Sequence, residues 1–281
     1  MSPTGQPGTE RLDIGTATVV KTMLGLSGPS SSAAPTVSQA GRGNLIQRSD
    51  CRRQLRDKRT REKPMATIIF HSMPDSAYLW TAMLVAAEKG VSYELQPLTL
   101  GSPEHLKLHP FGKMPVMQHG DAILFETMAI AHYIDAAFDG PSLEPADALG
   151  QANMWRWIGI VNSYVFPTMN RFMKERLVKP LWGIESDKAF IETALTQLPL
   201  QMRLIDEATA GGKFLAGDCV SIADFFLFPH LLFFGLTEEG KAFLEAHGNA
   251  KAWLERMMAR ESFAQSPMNE AYKLFVARNA A

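Results

Sequence analysis

Cysteine is scarce, with Cys51 and Cys219 the only two in 281 residues, too few for a disulfide scaffold or a thiolate zinc site. No stretch approaches the roughly 18 consecutive apolar residues that a membrane-spanning helix requires. Charge of one sign is not in excess either: 28 Lys/Arg stand against 29 Asp/Glu, a formal net charge of −1. That balance argues against a dedicated nucleic-acid binder. Zinc-spaced Cys/His clusters, a phosphate loop and a GxSxG elbow are all missing. The seven histidines, at 71, 105, 109, 119, 132, 230 and 247, are scattered without ligand spacing, so a metal enzyme is not expected. What remains is an ordinary apolar fraction of 46%, in a chain long enough for one large domain or two modest ones.

The charge balance hides an asymmetry. Residues 1–64 hold 11 Lys/Arg against 5 Asp/Glu, and the basic run lies between Arg48 and Lys63. Apart from a brief apolar patch at Thr18–Leu26 this segment has no sustained periodicity, so it cannot bury enough surface to offset its ordering entropy and reads as disordered. A secretory signal fits poorly, because Lys21 and Thr22 interrupt the patch. An organelle transit peptide, a basic arm and a true start at Met65, with the upstream residues not native, all stay open.

From Met65 onward the pattern is regular. Thr67–His71 is a β-branched and aromatic run, hence a strand. Ser76 then supplies a cap signal before a helix over Tyr78–Lys89 that stops at Gly90. Val91–Leu98 alternates as a second strand. Ser102-Pro103 opens a short helix ending near His109-Pro110. Met114–His119 and Ala122–Phe125 flank Gly120-Asp121, a hairpin signature, and Glu126-Thr127 leads into a helix ending near Phe138. The order is β-α-β-α-β-β-α. Beyond Pro141 and Pro145 no strand is expected, only helices over roughly 147–176, 187–209, 221–236, 238–247 and 250–260. The reading is a small α/β domain over 65–141 followed by an all-helical one over 147–281, with the boundary near 140–146. Within the helical part, Ser221 and Asp224 form a capping box and Val220 and Phe225 occupy staple positions. Phe225 to Phe228 are too apolar for a surface helix, so that helix is expected to be central.

Two stretches point toward binding. Met114-Pro115 stands at the start of what should be an edge strand, and a cis bond there would turn the Met114 backbone outward, where an extended ligand can pair with it. Thr127, opening a helix, offers an amide and a hydroxyl to a carboxylate. Read singly, these are a turn and a cap.

Taken in order, the strand, the turn with Ser76, the stretch His109 to Pro115, Glu126-Thr127 and the Ser221–Asp224 box resemble the cytosolic glutathione transferase family, over about residues 66–281. The resemblance implies α/β plus all-α architecture: an N-terminal thioredoxin-like domain, an all-helical C-terminal domain and a cleft between them. It implies glutathione as co-substrate, a cytoplasmic homodimer, a small hydrophobic electrophile as the second substrate, and no membrane or nucleic-acid partner. Met114 and Pro115 would meet the cysteinyl part of glutathione, Glu126 and Thr127 its γ-glutamyl end, and Lys113 with His105 its glycine carboxylate. Ser76 falls where the serine of bacterial-type phi, theta and zeta-like enzymes sits, and is the expected catalytic residue. Tyr78 lies near where beta-class enzymes carry cysteine and is the alternative activator.

The energetics are modest. Lowering a thiol pKa from about 8.5 by ~2 units takes about 2.7 kcal/mol. A serine hydroxyl donating to the thiolate supplies roughly 1.5–3 kcal/mol, and a helix N-terminus about 0.3–1 kcal/mol more. Asp75, next to Ser76, would oppose ionisation unless it caps the helix and points away. The acceptor site is expected to draw on Met73, Tyr78, Tyr164 and Phe166, with Trp157 and Phe172 better placed in the core. Pro167 should kink the helix near the cleft mouth. Glutathione-dependent peroxidase or isomerase chemistry, and a non-catalytic glutathione- or ligand-binding relative, are the competing readings. The zeta-like isomerases carry Ser-Ser-Cys after the first strand, and this chain has no cysteine there.

Overall fold

The computed structural model describes residues 67–279; the disordered reading of residues 1–64 lies outside them. The first half runs β1 (Ile68–His71), α1 (Ala77–Glu88), β2 (Tyr93–Gln96), α2 (Pro103–Leu108), β3 (Val116–His119), β4 (Ala122–Phe125) and α3 (Thr127–Ala137). The four strands form one sheet in the order β2-β1-β3-β4, parallel between β1 and β2 and antiparallel elsewhere. Ile68 and Phe70 point to the same face, as the two-residue period of a strand dictates, and both are fully buried. β2 is shorter than its alternation suggests. The Val91 amide is spent on Ala86 O in the turn that ends α1, and Pro97 has no N–H to extend the ladder.

One expectation is corrected. β3 is an interior strand between β1 and β4, not an edge. Pro115 is tolerated because it stands just before the ladder, where no donor is required.

The second half opens with α4 (Ala148–Ile160), which continues without a break as π-helical turns over Val161–Asn170 and Lys174–Val178, with Arg171–Met173 between them and Lys179–Leu181 at the end. Pro167 sits inside the first π-helical stretch. Lacking an N–H, it cannot bond the carbonyl four residues back, and the helix widens there. Then follow α5 (Lys188–Ala208), α6 (Ile222–Phe234), α7 (Glu238–Ala246), α8 (Gly248–Met258), α9 (Glu261–Ala264) and α10 (Pro267–Asn279). The last two were not anticipated, although Ser266-Pro267 is a start signal and Met268, Ala271 and Phe275 are buried at helical spacing.

α6 is central, with all of its residues buried. Trp80 stacks on Phe233 at 5.0 Å, and Phe172 meets Phe234 edge-on at 5.8 Å. The two halves are joined along α1. The Thr81 hydroxyl donates to Phe225 O at 3.0 Å, and Arg260 grips Glu88 with two bonds of 2.7 and 2.6 Å, joined by Ser262. The connection near residue 140 is fixed by the buried Lys89–Asp135 pair at 3.1 Å. Lys89 also donates to Pro141 O, and Asp135 accepts the Leu143 amide.

Candidate functional site

Sheet register assembles the site. His71 pairs with Val116, and Val116 pairs with Phe125. The turn after β1, the Met114–Pro115 segment before β3 and the Glu126-Thr127 step after β4 therefore emerge side by side at one end of the sheet. Stretches some fifty residues apart in sequence become neighbours.

Ser76 is the N-cap of α1, and its Oγ accepts the Leu79 amide at 3.4 Å. Its turn is held by the Ser76 amide on Met73 O at 3.3 Å and by Trp80 Nε1 on Pro74 O at 2.9 Å. Capping uses a lone pair of the hydroxyl and leaves its proton. Among the described residues that proton has no acceptor, so Ser76 can cap the helix and still donate to a sulfur.

Asp75 does not cap. Its side chain is turned into the protein toward Lys174 of the helical half, and Oδ2 is buried without a hydrogen-bond partner. Burial pushes the carboxyl up to about 7, outweighing the downward pulls of its own backbone amide and of the Lys174 charge. Burial likewise lowers Lys174, with Asp75 working against it. Because the folded state holds this proton more tightly than the unfolded chain, the group's stabilisation is complete below about pH 4 and is lost as pH rises toward 7. Asp75→Asn, neutral throughout, should be more stable than the parent by about 2–4 kcal/mol at pH 8. The gap should close near pH 4. Thermal melts at several pH values read this directly, and parallel curves for the two proteins would reject the assignment.

Tyr78 donates its hydroxyl to Asn162 Oδ1 at 3.0 Å, across the two halves. Burial raises its pKa, with the Glu126 charge adding to the effect. A phenol committed to an amide oxygen and held protonated is a poor thiol activator. The Tyr78 ring meets Phe166 at 4.8 Å and His230 at 5.8 Å, and Phe166 meets His230 at 5.3 Å. Asn162, Phe166 and Lys174, four and eight residues apart along the widened helix, each meet a residue of the first half, so one stripe of that helix faces it. Tyr164 lies off that stripe. It is exposed, and among the described residues its ring meets no other aromatic ring, so it does not join Tyr78 and Phe166 as the sequence reading had it. Trp157 and Phe172 are buried core. Met73 is half-buried, its carbonyl accepting the Ser72 hydroxyl and the Ser76 amide.

On the other side of the site, the Met114–Pro115 bond is cis. Lys113 is exposed and Pro115 buried. His105 does not reach outward. It is buried, its Nδ1 accepts the Gly101 amide at 2.9 Å and its Nε2 bonds Lys113 O at 2.8 Å. Both nitrogens being spent, it shapes the Lys113 loop instead of holding a carboxylate. Glu126 adopts φ 70 and no side chain caps α3, so the first amides of that helix, from buried Thr127 onward, stay open to an anion.

The sequence pattern of the glutathione S-transferase N-terminal domain matches residues 66–136, and that of the C-terminal domain matches 160–261. Glutathione S-transferase 3 of Zea mays is 32% identical over 209 residues, spanning 71% of this chain and 92% of that protein. The probable glutathione S-transferase GSTF2 of Oryza sativa is 29% identical, spanning 63% and 85%. Among solved structures, apo glutathione S-transferase III superposes with a TM-score of 0.67 at 29% identity, covering 74% of this chain and 97% of that one. Maize glutathione S-transferase I in complex with an atrazine glutathione conjugate gives 0.65 at 26%, covering 75% and 98%. A thioredoxin-like sheet joined to a helical half, with a site at the sheet end, defines a glutathione-dependent enzyme of the transferase type. The chain belongs to the glutathione S-transferase family, and glutathione is its co-substrate.

Sequence reasoning missed Asn162, Lys174 and His230. Asn162 and Lys174 carry no local signal, since only the packing of the widened helix against α1 selects them. His230 did carry one: beyond Asp224 in the first turn, it is the one polar side chain of the helix. No helix among the described residues is long and apolar enough to cross a membrane, and none of their His, Cys, Asp and Glu side chains cluster to hold a metal.

Proposed function

We propose that Ser76 donates its hydroxyl to the sulfur of bound glutathione, and that the thiolate so stabilised attacks a small hydrophobic electrophile lying against Tyr78 and Phe166. The observation that carries this is the undonated Ser76 proton, at a helix N-terminus in register with the Met114–Pro115 and Glu126-Thr127 segments. Met114 pairs its backbone with the cysteinyl unit, the open α3 amides and Glu126 take the γ-glutamyl end, and Lys113 meets the glycine carboxylate. The thiol proton leaves to solvent, the sulfur lone pair forms the new carbon–sulfur bond while the carbon's bond to its leaving group breaks and the leaving group departs to solvent with that pair, and Ser76 keeps the sulfur anionic until it reacts. This makes the chain a serine-type, phi-like enzyme of the detoxifying kind, with residues 65–141 as the glutathione domain and 147–281 as the acceptor domain. An ultraviolet titration of glutathione bound to the full chain tests the reading. A bound thiol ionising well below pH 8.5 supports it, and a bound thiol with an ordinary pKa rejects it.

The same reading makes the chain a cytoplasmic homodimer. Phe111 is the most exposed large apolar side chain in its region, at 75%, and Met128 and Trp155 are exposed beside His132 on the outer face of α3 and α4. Apolar side chains left open in this way are covered when two copies meet. Light scattering at micromolar concentration should give twice the chain mass; a single-chain mass would refute it.

A further inference from the structure

A carboxyl is the last group expected beside a site that has to hold a thiolate, yet the fold keeps Asp75 there. It precedes Ser76 in the chain, so the two side chains lie within about 8 Å of each other. The turn that carries both is pinned by the Ser76 amide on Met73 O and by Trp80 Nε1 on Pro74 O. Asp75 Oδ2 is buried and has no hydrogen-bond partner among the described residues. Buried polar atoms without partners are rare enough to demand an explanation. Lys174 acts on the carboxyl from the widened helix, but no hydrogen bond or ion pair joins the two. The titratable groups of α1 and α6 on this side, Tyr78 and His230, are held neutral by burial, and Glu126 acts on Tyr78 and not on Asp75.

Two influences therefore compete at Asp75. Burial favours the protonated acid, the Lys174 ammonium favours the carboxylate, and the balance falls near neutral pH. A thiolate arriving beside Ser76 tips it. Two negative charges at this separation disfavour each other, so the acids titrate as a pair and not singly.

We propose that Asp75 is a positioning residue for the proton of this site, taking one up as the glutathione sulfur gives one up, so that the negative charge beside Ser76 rests on sulfur alone. The proposal rests on the transferase reading above. The thiol S–H bond breaks, its electron pair stays on sulfur and its proton goes to solvent. Ionised Asp75 takes a proton from solvent and forms an O–H bond, and nothing is oxidised or reduced. Lys174 sets where on the pH scale the exchange happens, because its charge keeps Asp75 partly ionised before glutathione arrives. Near neutrality the thiolate then forms with little net loss of protons from the protein and its ligand.

The experiment counts protons released when glutathione binds the full chain between pH 6 and 8, by calorimetry in phosphate and in Tris, whose ionisation heats differ. At pH 7 the parent should release roughly half as many protons as its Asp75→Asn variant. Lys174→Met should move that deficit about one unit up the pH scale, since the cation favouring the carboxylate is gone. Altered packing alone moves neither count. Equal release by the parent and Asp75→Asn across the range overturns the proposal, and so does a deficit that stays in place in Lys174→Met. Ultraviolet titration of the bound thiol separates the two levels. An ordinary thiol pKa removes the transferase mechanism and this proposal with it, whereas a lowered pKa with equal proton counts removes only the role of Asp75. If the variants do not fold, carboxyl-carbon NMR of aspartate-labelled parent serves instead. The Asp75 midpoint should lie about one unit higher with glutathione than with S-methylglutathione, whose sulfur carries no proton, and equal midpoints overturn the proposal.

Discussion

Replacing Ser76 by alanine should return the thiol of bound glutathione toward its free pKa of about 8.5 and lower kcat/KM by about 10- to 100-fold at neutral pH, the value of one hydrogen bond to a charged sulfur. Affinity for glutathione should change little, because its contacts in this reading are backbone groups of Met114 and α3, together with Glu126 and Lys113. The cap itself is a small part of the effect. Its bond to Leu79 is long, at 3.4 Å, and losing an N-cap costs about 1 kcal/mol of stability, which a melting curve separates from catalysis. Turnover and thiol pKa both left at parental values would remove Ser76 from the mechanism. Tyr78 would not inherit the role easily, since its hydroxyl is committed to Asn162.

Asp224→Ala should be the most damaging single change to the fold. The Asp224 carboxyl is fully buried and accepts from Leu215 N at 3.0 Å, Ser221 N at 2.9 Å, the Ser221 hydroxyl at 2.9 Å and Trp253 Nε1 at 2.9 Å. It joins the start of α6 to the loop before it and to α8. Alanine leaves those donors in the core without an acceptor, each costing about 1–3 kcal/mol in part offset by relaxation, so a loss of about 4–6 kcal/mol is expected. Against a typical total of about 5–15 kcal/mol, that is enough to bring the chain close to unfolding. Urea denaturation measures it, and a loss below about 2 kcal/mol would mean that water replaces the carboxylate.

The element order was legible because each element carries its own marks: β-branched alternation in β1, Ser102-Pro103 at the start of α2, Gly120-Asp121 between β3 and β4, and the Ser221–Asp224 box before α6. The two segments proposed above to meet glutathione were legible in the same way, since Met114-Pro115 and Glu126-Thr127 are local motifs. The acceptor side was not. Whether Tyr164 or Phe166 faces Tyr78 depends on how far the helix turns per residue around Pro167, which composition does not state. Strand order escaped for a related reason, because nothing local to β3 says that β4 lies outside it. His105 misled because a basic residue near a binding loop reads the same whether its nitrogens face a ligand or the Gly101 amide and the Lys113 carbonyl.

The seam along α1 bears on how such a protein can be recombined. The helix that presents Ser76 is bound near its start to Asn162, in its middle to the Phe225 carbonyl and at its end to Arg260 and Ser262. Those partners span nearly the whole helical half. New acceptor specificity is therefore not a module to be grafted from a relative by cutting near residue 140. A donor helical half has to arrive with its own counterparts of Asn162, Arg260 and Ser262, or α1 must travel with it.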